Sequence, residues 1–435
     1  MPISEPDLIR KLTLRLLPIL IFAYFVAILD RANVGVAALT MNTDLGLSAT
    51  AFGFAAGVFF VPYVLLELPS NLALERFGAR WWIARIMLTW GLISAAHAFV
   101  WSPGSLYVLR ALLGAAEAGF FPGVVFYLTL WFPASYRGRI ISAFMTGIPI
   151  ALVIGTPLST LLLQLDGIWG LHGWQWMYIL EGIPALVLAI FIPFILPSGP
   201  QEAKFLTADE RKWLVARIEA EQRERAASHS GSHASQLMKA LLSLQVLLFC
   251  LMYYGLTNLN GAVSTFLPQI LKDFGFGQVQ TGFLAAIPYI FGAVGMLVLG
   301  RMADMPGRRQ MANYVALSIS IVGLVASAST NDPTLKLIAL CVAAFGVFGA
   351  MPVFWGLPTA ILSGAAAAGG IALINSLGNL SSVINPWVIG MIKDATGNYN
   401  GGLYWLALMA AMSVAVLTFI IAIYGRQRVA TKRVG

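Results

Sequence analysis

The chain alternates between long apolar runs and short polar connections, and twelve of the runs reach bilayer-spanning length. About 20 mostly apolar residues cross a hydrocarbon core as a helix. Runs of that order lie at 14–39, 48–75, 80–100, 104–131, 137–164, 174–196, 241–271, 277–302, 309–329, 334–361, 365–392 and 402–424. The pattern predicts an all-α membrane protein with twelve transmembrane helices. One long polar stretch interrupts the series, from Pro197 to Lys239. Its middle, LTADERKWLVARIEAEQRER, has helical spacing and mixed charge, and the SHSGSHAS that follows has the composition of a flexible connector. The expected organisation is a six-helix half over 1–196, a cytoplasmic linker over 197–240 and a second six-helix half over 241–435.

The two halves repeat each other. Gly78 in NLALERFGAR matches Gly307 in GRMADMPGRR at an offset of 229, Pro122 matches Pro352 at 230, and Pro157 matches Pro386 at 229. Two like-oriented six-helix halves are a recurring transporter plan, with the substrate site expected near the midplane between them.

Composition narrows the class. Of 435 residues, 59% are hydrophobic and 11% charged, more apolar surface than a soluble core of this size absorbs. The net charge of +8 would suit nucleic acid, but its distribution excludes that. With the N-terminus in the cytoplasm, 22 of the 27 Lys and Arg fall in cytoplasmic regions, three (Lys272, Lys336, Lys393) on the opposite side, and two (Arg31, Arg110) within the membrane. The positive-inside rule therefore puts both termini in the cytoplasm, and the basic surplus serves topology and lipid headgroups. The short loops fit a bacterial inner membrane. The two cysteines, Cys250 and Cys341, lie in apolar runs without metal or redox spacing. No nucleophile–base pair or metal-ligand set appears, so an enzyme, a metal and an organic cofactor are not expected; a monomer is.

The candidate chemistry lies in the charges at bilayer depth. Each costs at least about 2.5–3.5 kcal/mol on insertion scales, so such residues face a bundle interior or a wet cavity. Arg110 and Glu117 sit in one spanning run, SLYVLRALLGAAEAGFFPGVVFYLTLWFP. Seven residues make nearly two turns, so both leave the same face, roughly 10 Å apart. A binding or coupling site and a structural ion pair are both open readings of that pair. Asp30 and Arg31 are adjacent in LDRANVG and diverge by about 100°, so each needs its own partner: for Arg31 a ligand anion or Glu117, for Asp30 a proton or a hydrogen-bond donor. Two cations facing one cavity make an anion site, and the planar guanidinium suits a carboxylate. A desolvated Glu beside them can gain a proton when substrate neutralises an arginine, as symport requires. Glu117 is the expected main coupling carboxylate and Asp30 the second. Asn375 and Asn379 share one helical face, which either turns to a cavity or bridges helices. Glu181, about two turns into the sixth run, is left without an assigned role.

The loop GRMADMPGRR carries Gly300, Asp304, Gly307, Arg308 and Arg309 in the G-x-x-x-D-x-x-G-[RK]-[RK] pattern of the major facilitator superfamily, which the whole chain resembles. The resemblance implies that Asp304, Arg308 and Arg309 form a latch on the cytoplasmic side; the first half departs from the pattern at Asn71, Glu75 and Ala79. LDRANVG, RALLGAAEAGFFPGVVFYLTLWFP and FWGLPTAILSGAAAAGGIALINSLGNLSSVINPWVIG are similar to the anion:cation symporter family within that superfamily, over essentially the full length. That resemblance implies substrate contacts at Arg31, Tyr63, Arg110, Trp355, Asn375 and Asn379, with proton coupling at Asp30 and Glu117.

The implied function is import of a small organic carboxylate by proton symport, with the proton as coupling ion and alternating access as the mechanism. A proton-independent anion exchanger or an exporter is the alternative. Ile148, Pro352 and Phe354 are apolar around the expected cavity, where a heavily hydroxylated sugar acid needs polar partners. A carboxylate with an aromatic ring or few hydroxyls is the expected substrate.

Overall fold

The computed structural model of the chain describes residues 4–228, 243–305, 307–361 and 365–432. The serine- and histidine-rich run at 229–235 lies outside the described residues. No strand occurs among those described, and the expected all-α architecture is what forms.

In the first half the helices are α1 (Glu5–Asp44), α2 (Ala49–Val58), α3 (Phe60–Phe77), α4 (Ala79–Ala96), α5 (Pro103–Glu117), α6 (Phe120–Trp131), α7 (Ala134–Met145), α8 (Gly147–Leu162) and α9 (Gly173–Ile195). The polar stretch contributes α10 (Ala208–Ser228). The second half holds α11 (Leu244–Asp273), α12 (Gln278–Asp304), α13 (Arg309–Ser329), α14 (Pro333–Ile361), α15 (Ala365–Asn379), α16 (Ser381–Thr396) and α17 (Asn400–Lys432). Among the described residues, eleven stretches are long and apolar enough to cross a membrane. The expected run at 365–392 is covered by α15 and α16, divided at Leu380.

Several runs that read as continuous are broken helices, and proline explains three of the breaks. Proline has no N–H to give to the carbonyl four residues before it. Pro62, Pro122 and Pro149 therefore release the carbonyls of Val58, Ala118 and Met145, and α2 ends at Val58, α5 at Glu117 and α7 at Met145. At the second break Gly119 adopts φ +86°, where an added Cβ would meet the Ser70 hydroxyl at 2.3 Å. The repeat partner Pro352 lies inside α14, which runs on unbroken. Gly78 and Gly307 do behave alike: both turn their loops with left-handed φ, +86° and +76°.

The chain forms two compact units. The first comprises 1–37 and 58–230. In it Leu16, Leu20, Met87, Trp90, Phe120 and Tyr127 build a buried core. The linker helix α10 belongs to this unit. It buries Leu214 and Ile218, and it is held by Lys11 to Glu210 (2.8 Å) and by Arg137 to Glu221 (3.3 Å). Glu221 also accepts from the Ala134 N–H at the start of α7.

The second unit comprises 38–57 and 231–435. Within it α2 and α16 touch backbone to backbone. A Cβ on Gly53 would lie 2.1 Å from the Pro386 carbonyl, on Gly57 2.2 Å from that of Val383, and on Gly390 2.2 Å from that of Ala49. Such proximity requires small residues at the contact.

Candidate functional site

In the first unit the predicted charges come together around α1 and the end of α5. The Arg31 Nε donates to Glu117 Oε1 at 2.6 Å. The two members differ in exposure, 26% for the Arg31 side chain and 1% for Glu117, so the arginine stands in front and the carboxylate behind it. The guanidinium also lies over the Tyr63 ring at 4.8 Å and over Phe59 at 5.7 Å. Of the two partners open to Arg31, the structure therefore supplies Glu117. Glu117 is the last residue of α5, so the cation also lies near the negative end of that helix.

Arg110, two turns earlier on α5, is 2% exposed, and its guanidinium lies 4.9 Å from the same Phe59 ring. Both arginines thus share one aromatic neighbour, and both fields reach Glu117. The close approach of α3 to α5 needs Gly114, where a Cβ would stand 1.9 Å from the Phe59 carbonyl.

Asp30 takes a separate path. It is fully enclosed and accepts from the Trp90 indole N–H, from Ser94 Oγ at 2.7 Å and from Asn33 Nδ2 at 3.2 Å. The divergence expected for adjacent helical residues is realised: Arg31 faces α3 and α5, and Asp30 faces α4.

In the second unit, Trp355 is half-buried on α14, and its ring centroid lies 4.8 Å from that of Tyr253 on α11. Tyr253 stacks on Phe354 at 4.9 Å and packs against Gly378, where a Cβ would meet its ring at 2.2 Å. Gly378 lies between Asn375 and Asn379, both half-buried on α15. Thr257 Oγ1 fixes that helix end by donating to the Gly378 carbonyl at 2.7 Å. Trp355 and the Asn375–Asn379 segment are thus joined through Tyr253. Phe354, expected on a cavity wall, is instead 0% exposed beneath Tyr253.

The expected latch residues lie on the α12–α13 loop. Arg309 Nη1 donates to the Gly356 carbonyl at 2.8 Å, and Asn313 bonds the Val353 carbonyl, so the start of α13 is tied to α14. Arg308 is exposed, with Nη1 3.5 Å from the Met305 sulfur. Asp304 is exposed at the end of α12 and makes no ion pair among the described residues.

The sequence reading missed Phe59 and the Trp90–Ser94 pair. Trp90 and Ser94 carried a usable signal, since two polar groups one turn apart in an apolar run share one face. Phe59 carried none, being one aromatic among many apolar neighbours.

Residues 20–386 match the family model described as Major Facilitator Superfamily. The chain is 45% identical over 419 residues to a protein of Agrobacterium vitis named "Putative tartrate transporter", covering 96% of this chain and 92% of that one. It is 43% identical over 418 residues to the "Quinolone resistance transporter" of Acinetobacter baumannii, covering 96% and 95%. Among solved structures, a bacterial homologue of the human lysosomal transporter Spinster superposes with a TM-score of 0.74 at 16% identity, over 93% of this chain and 95% of that one.

Proposed function

This chain belongs to the Major Facilitator Superfamily, and we propose that it imports a small organic carboxylate together with protons by alternating access. It is an integral membrane transporter and not an enzyme. The observation that carries the proposal is the partly exposed Arg31, held from behind by the buried Glu117 and lying over Tyr63. With Nε engaged by Glu117 and the Tyr63 hydroxyl also bonded to the guanidinium, an incoming carboxylate would meet the terminal nitrogens in competition with Tyr63. The anion competes with Glu117 for the same cation. Glu117 Oε2 already lacks a partner among the described residues, so loss of Arg31 would leave a buried charge with only the field of Arg110. Taking a proton relieves that cost, and one anion is then bound for one proton taken up. Asp30 is the second coupling carboxylate in this reading, and Arg110 supplies a further positive field.

The tartrate name of the Agrobacterium vitis relative supports an organic-acid substrate with few hydroxyls. Placement in the anion:cation symporter family rests on the sequence motifs quoted above, and a bacterial inner membrane with both termini cytoplasmic on the loop lengths and the Lys/Arg distribution. The second reading is a proton-independent exchanger or an exporter, and the relative named for quinolone resistance supports export alone.

Thermal stabilisation of the purified protein by tartrate, an aromatic carboxylate and a sugar acid, beside Arg31→Ala, tests the substrate class. A ligand at about 100 times its Kd stabilises the native state by about 2.7 kcal/mol. The expected result is a raised midpoint with tartrate or the aromatic acid that disappears in the variant. No shift with any acid, or a shift that survives Arg31→Ala, would contradict the carboxylate site.

A further inference from the structure

A third carboxyl lies in the membrane interior of the first unit, and the coupling scheme above does not use it. Glu181 on α9 is 3% exposed. Four helices surround it and Asp30 together. Leu29, beside Asp30 on α1, meets Gly155 of α8; Ser159 of α8 contacts Glu181; Gly182 of α9 meets the backbone of Gly91 and Ala95 on α4; and α4 returns to Asp30 through Trp90 and Ser94.

The hydrogen bonds of the two carboxyls differ in number. Asp30 is met by donors: the Trp90 indole and the Asn33 amide nitrogen can only donate, and Ser94 donates as well. Three donors on one carboxyl are what an ionised group requires. Ser159 Oγ, in contrast, lies 2.5 Å from Glu181 Oε1 and 2.9 Å from the Gly155 carbonyl. A hydroxyl has one proton, so Ser159 divides it between Glu181 and the Gly155 carbonyl, or keeps it for Gly155 when Glu181 carries a proton and donates to Ser159.

The surroundings favour the second arrangement. Glu181 Oε2 is buried without a partner among the described residues, and full charge on such an oxygen is costly. The groups that act on Glu181 are Ser159, Asn33 and Asp30, with no cation among them. Arg110 on α5 acts on Asp30, on Tyr178 of α9 and on His97 at the end of α4. Asp30 therefore has both the Glu117 carboxylate and the Arg110 cation in its field, whereas Glu181 has the Asp30 carboxylate and no cation.

We propose that Asp30 and Glu181 hold one negative charge between them, with the proton on Glu181 in this structure. Glu181 is then a positioning residue for proton coupling, the alternate resting place of the proton that Asp30 takes up. When Asp30 gains a proton, Glu181 can release its own, and the charge of the pair is conserved. This rests on the proton-symport reading for its role, but not for the protonation itself.

Infrared spectroscopy of the full chain in liposomes at neutral pH tests the proton directly and needs no substrate. The expected result is a protonated-carboxyl C=O band that is lost in Glu181→Gln and displaced, not lost, in Ser159→Ala. Gln keeps the shape and neutrality of the acid, so the thermal midpoint of that variant should stay near wild type. A band unchanged in Glu181→Gln overturns the proposal. The second arm is pH-gradient-driven tartrate uptake in proteoliposomes, where Glu181→Gln should displace the pH profile. A profile superimposable on wild type would show an inert proton and overturn the shared charge. Failure of the wild type to use the gradient would remove the symport reading, while the infrared result still decides whether Glu181 is protonated.

Discussion

Arg31 uses the shape of its guanidinium as much as its charge. Its Nε edge is bonded to Glu117 while the group lies over Tyr63. A lysine keeps the charge but has no edge nitrogen and no plane. Arg31→Lys is therefore expected to lower tartrate uptake by about tenfold or more, the equivalent of one charged hydrogen bond of roughly 1.5–3 kcal/mol. Uptake near wild type in that variant would show that charge alone suffices. Arg31, Arg110, Asp30 and Glu117 were legible in the sequence because charge at bilayer depth is expensive and needs a reason. Glu117 was one of the two partners open to Arg31, but the donors to Asp30 were not legible. Adjacent residues reveal that Asp30 and Arg31 diverge, but only the three-dimensional path of α4 shows that Trp90 and Ser94 receive Asp30.

At the scale of elements, the breaks position the chemistry. Pro122 ends α5 at Glu117, and Pro62 separates α2 from α3 at Phe59, whose ring both arginines share. Prolines were visible in the sequence, but a proline in an apolar run is compatible with either a kink or a break. Pro352 marks the difference, since α14 continues through it. The contact between α3 and α5 depends on Gly114, whose added Cβ would strike a backbone carbonyl that no rotamer change can move. Gly114→Ala is expected to destabilise the protein by about 1–3 kcal/mol, as overpacking does. Gly138→Ala on α7, where nothing lies within 4 Å, is the control and should hold the midpoint or raise it slightly, since Ala favours a helix interior over Gly. Equal midpoints for the two variants would contradict this packing.

At the scale of the whole molecule, the two-half plan and the helical linker could be read from hydrophobic patterning and charge. The grouping of 38–57 with the second unit could not. That stretch is ordinary in hydropathy, and only Gly53 and Gly57, four residues apart, hint at a close helix contact. Within this unit Asp394 accepts from the N–H groups of Ala49 and Thr50, capping the start of α2. Partial burial pushes the Asp394 carboxyl up, but the hydrogen bonds from Thr50 and Ala49 outweigh it and hold it below its usual range. A depressed carboxyl contributes stability that is fully present above its unfolded value of about 3.9 and is lost as pH falls through the folded value. Thermal midpoints measured from neutral pH down into that acid range should therefore fall less steeply in Asp394→Asn than in wild type. Parallel curves would remove Asp394 from the account.

The central claim is that one buried carboxylate links anion binding at Arg31 to proton uptake. Tartrate transport by Glu117→Gln in proteoliposomes tests it most directly, comparing counterflow exchange with uptake driven by a pH gradient. Exchange should continue, because the neutral amide resembles the protonated acid, while gradient-driven accumulation is lost. Accumulation at the wild-type level, or loss of both activities in a variant that stays folded, would contradict it.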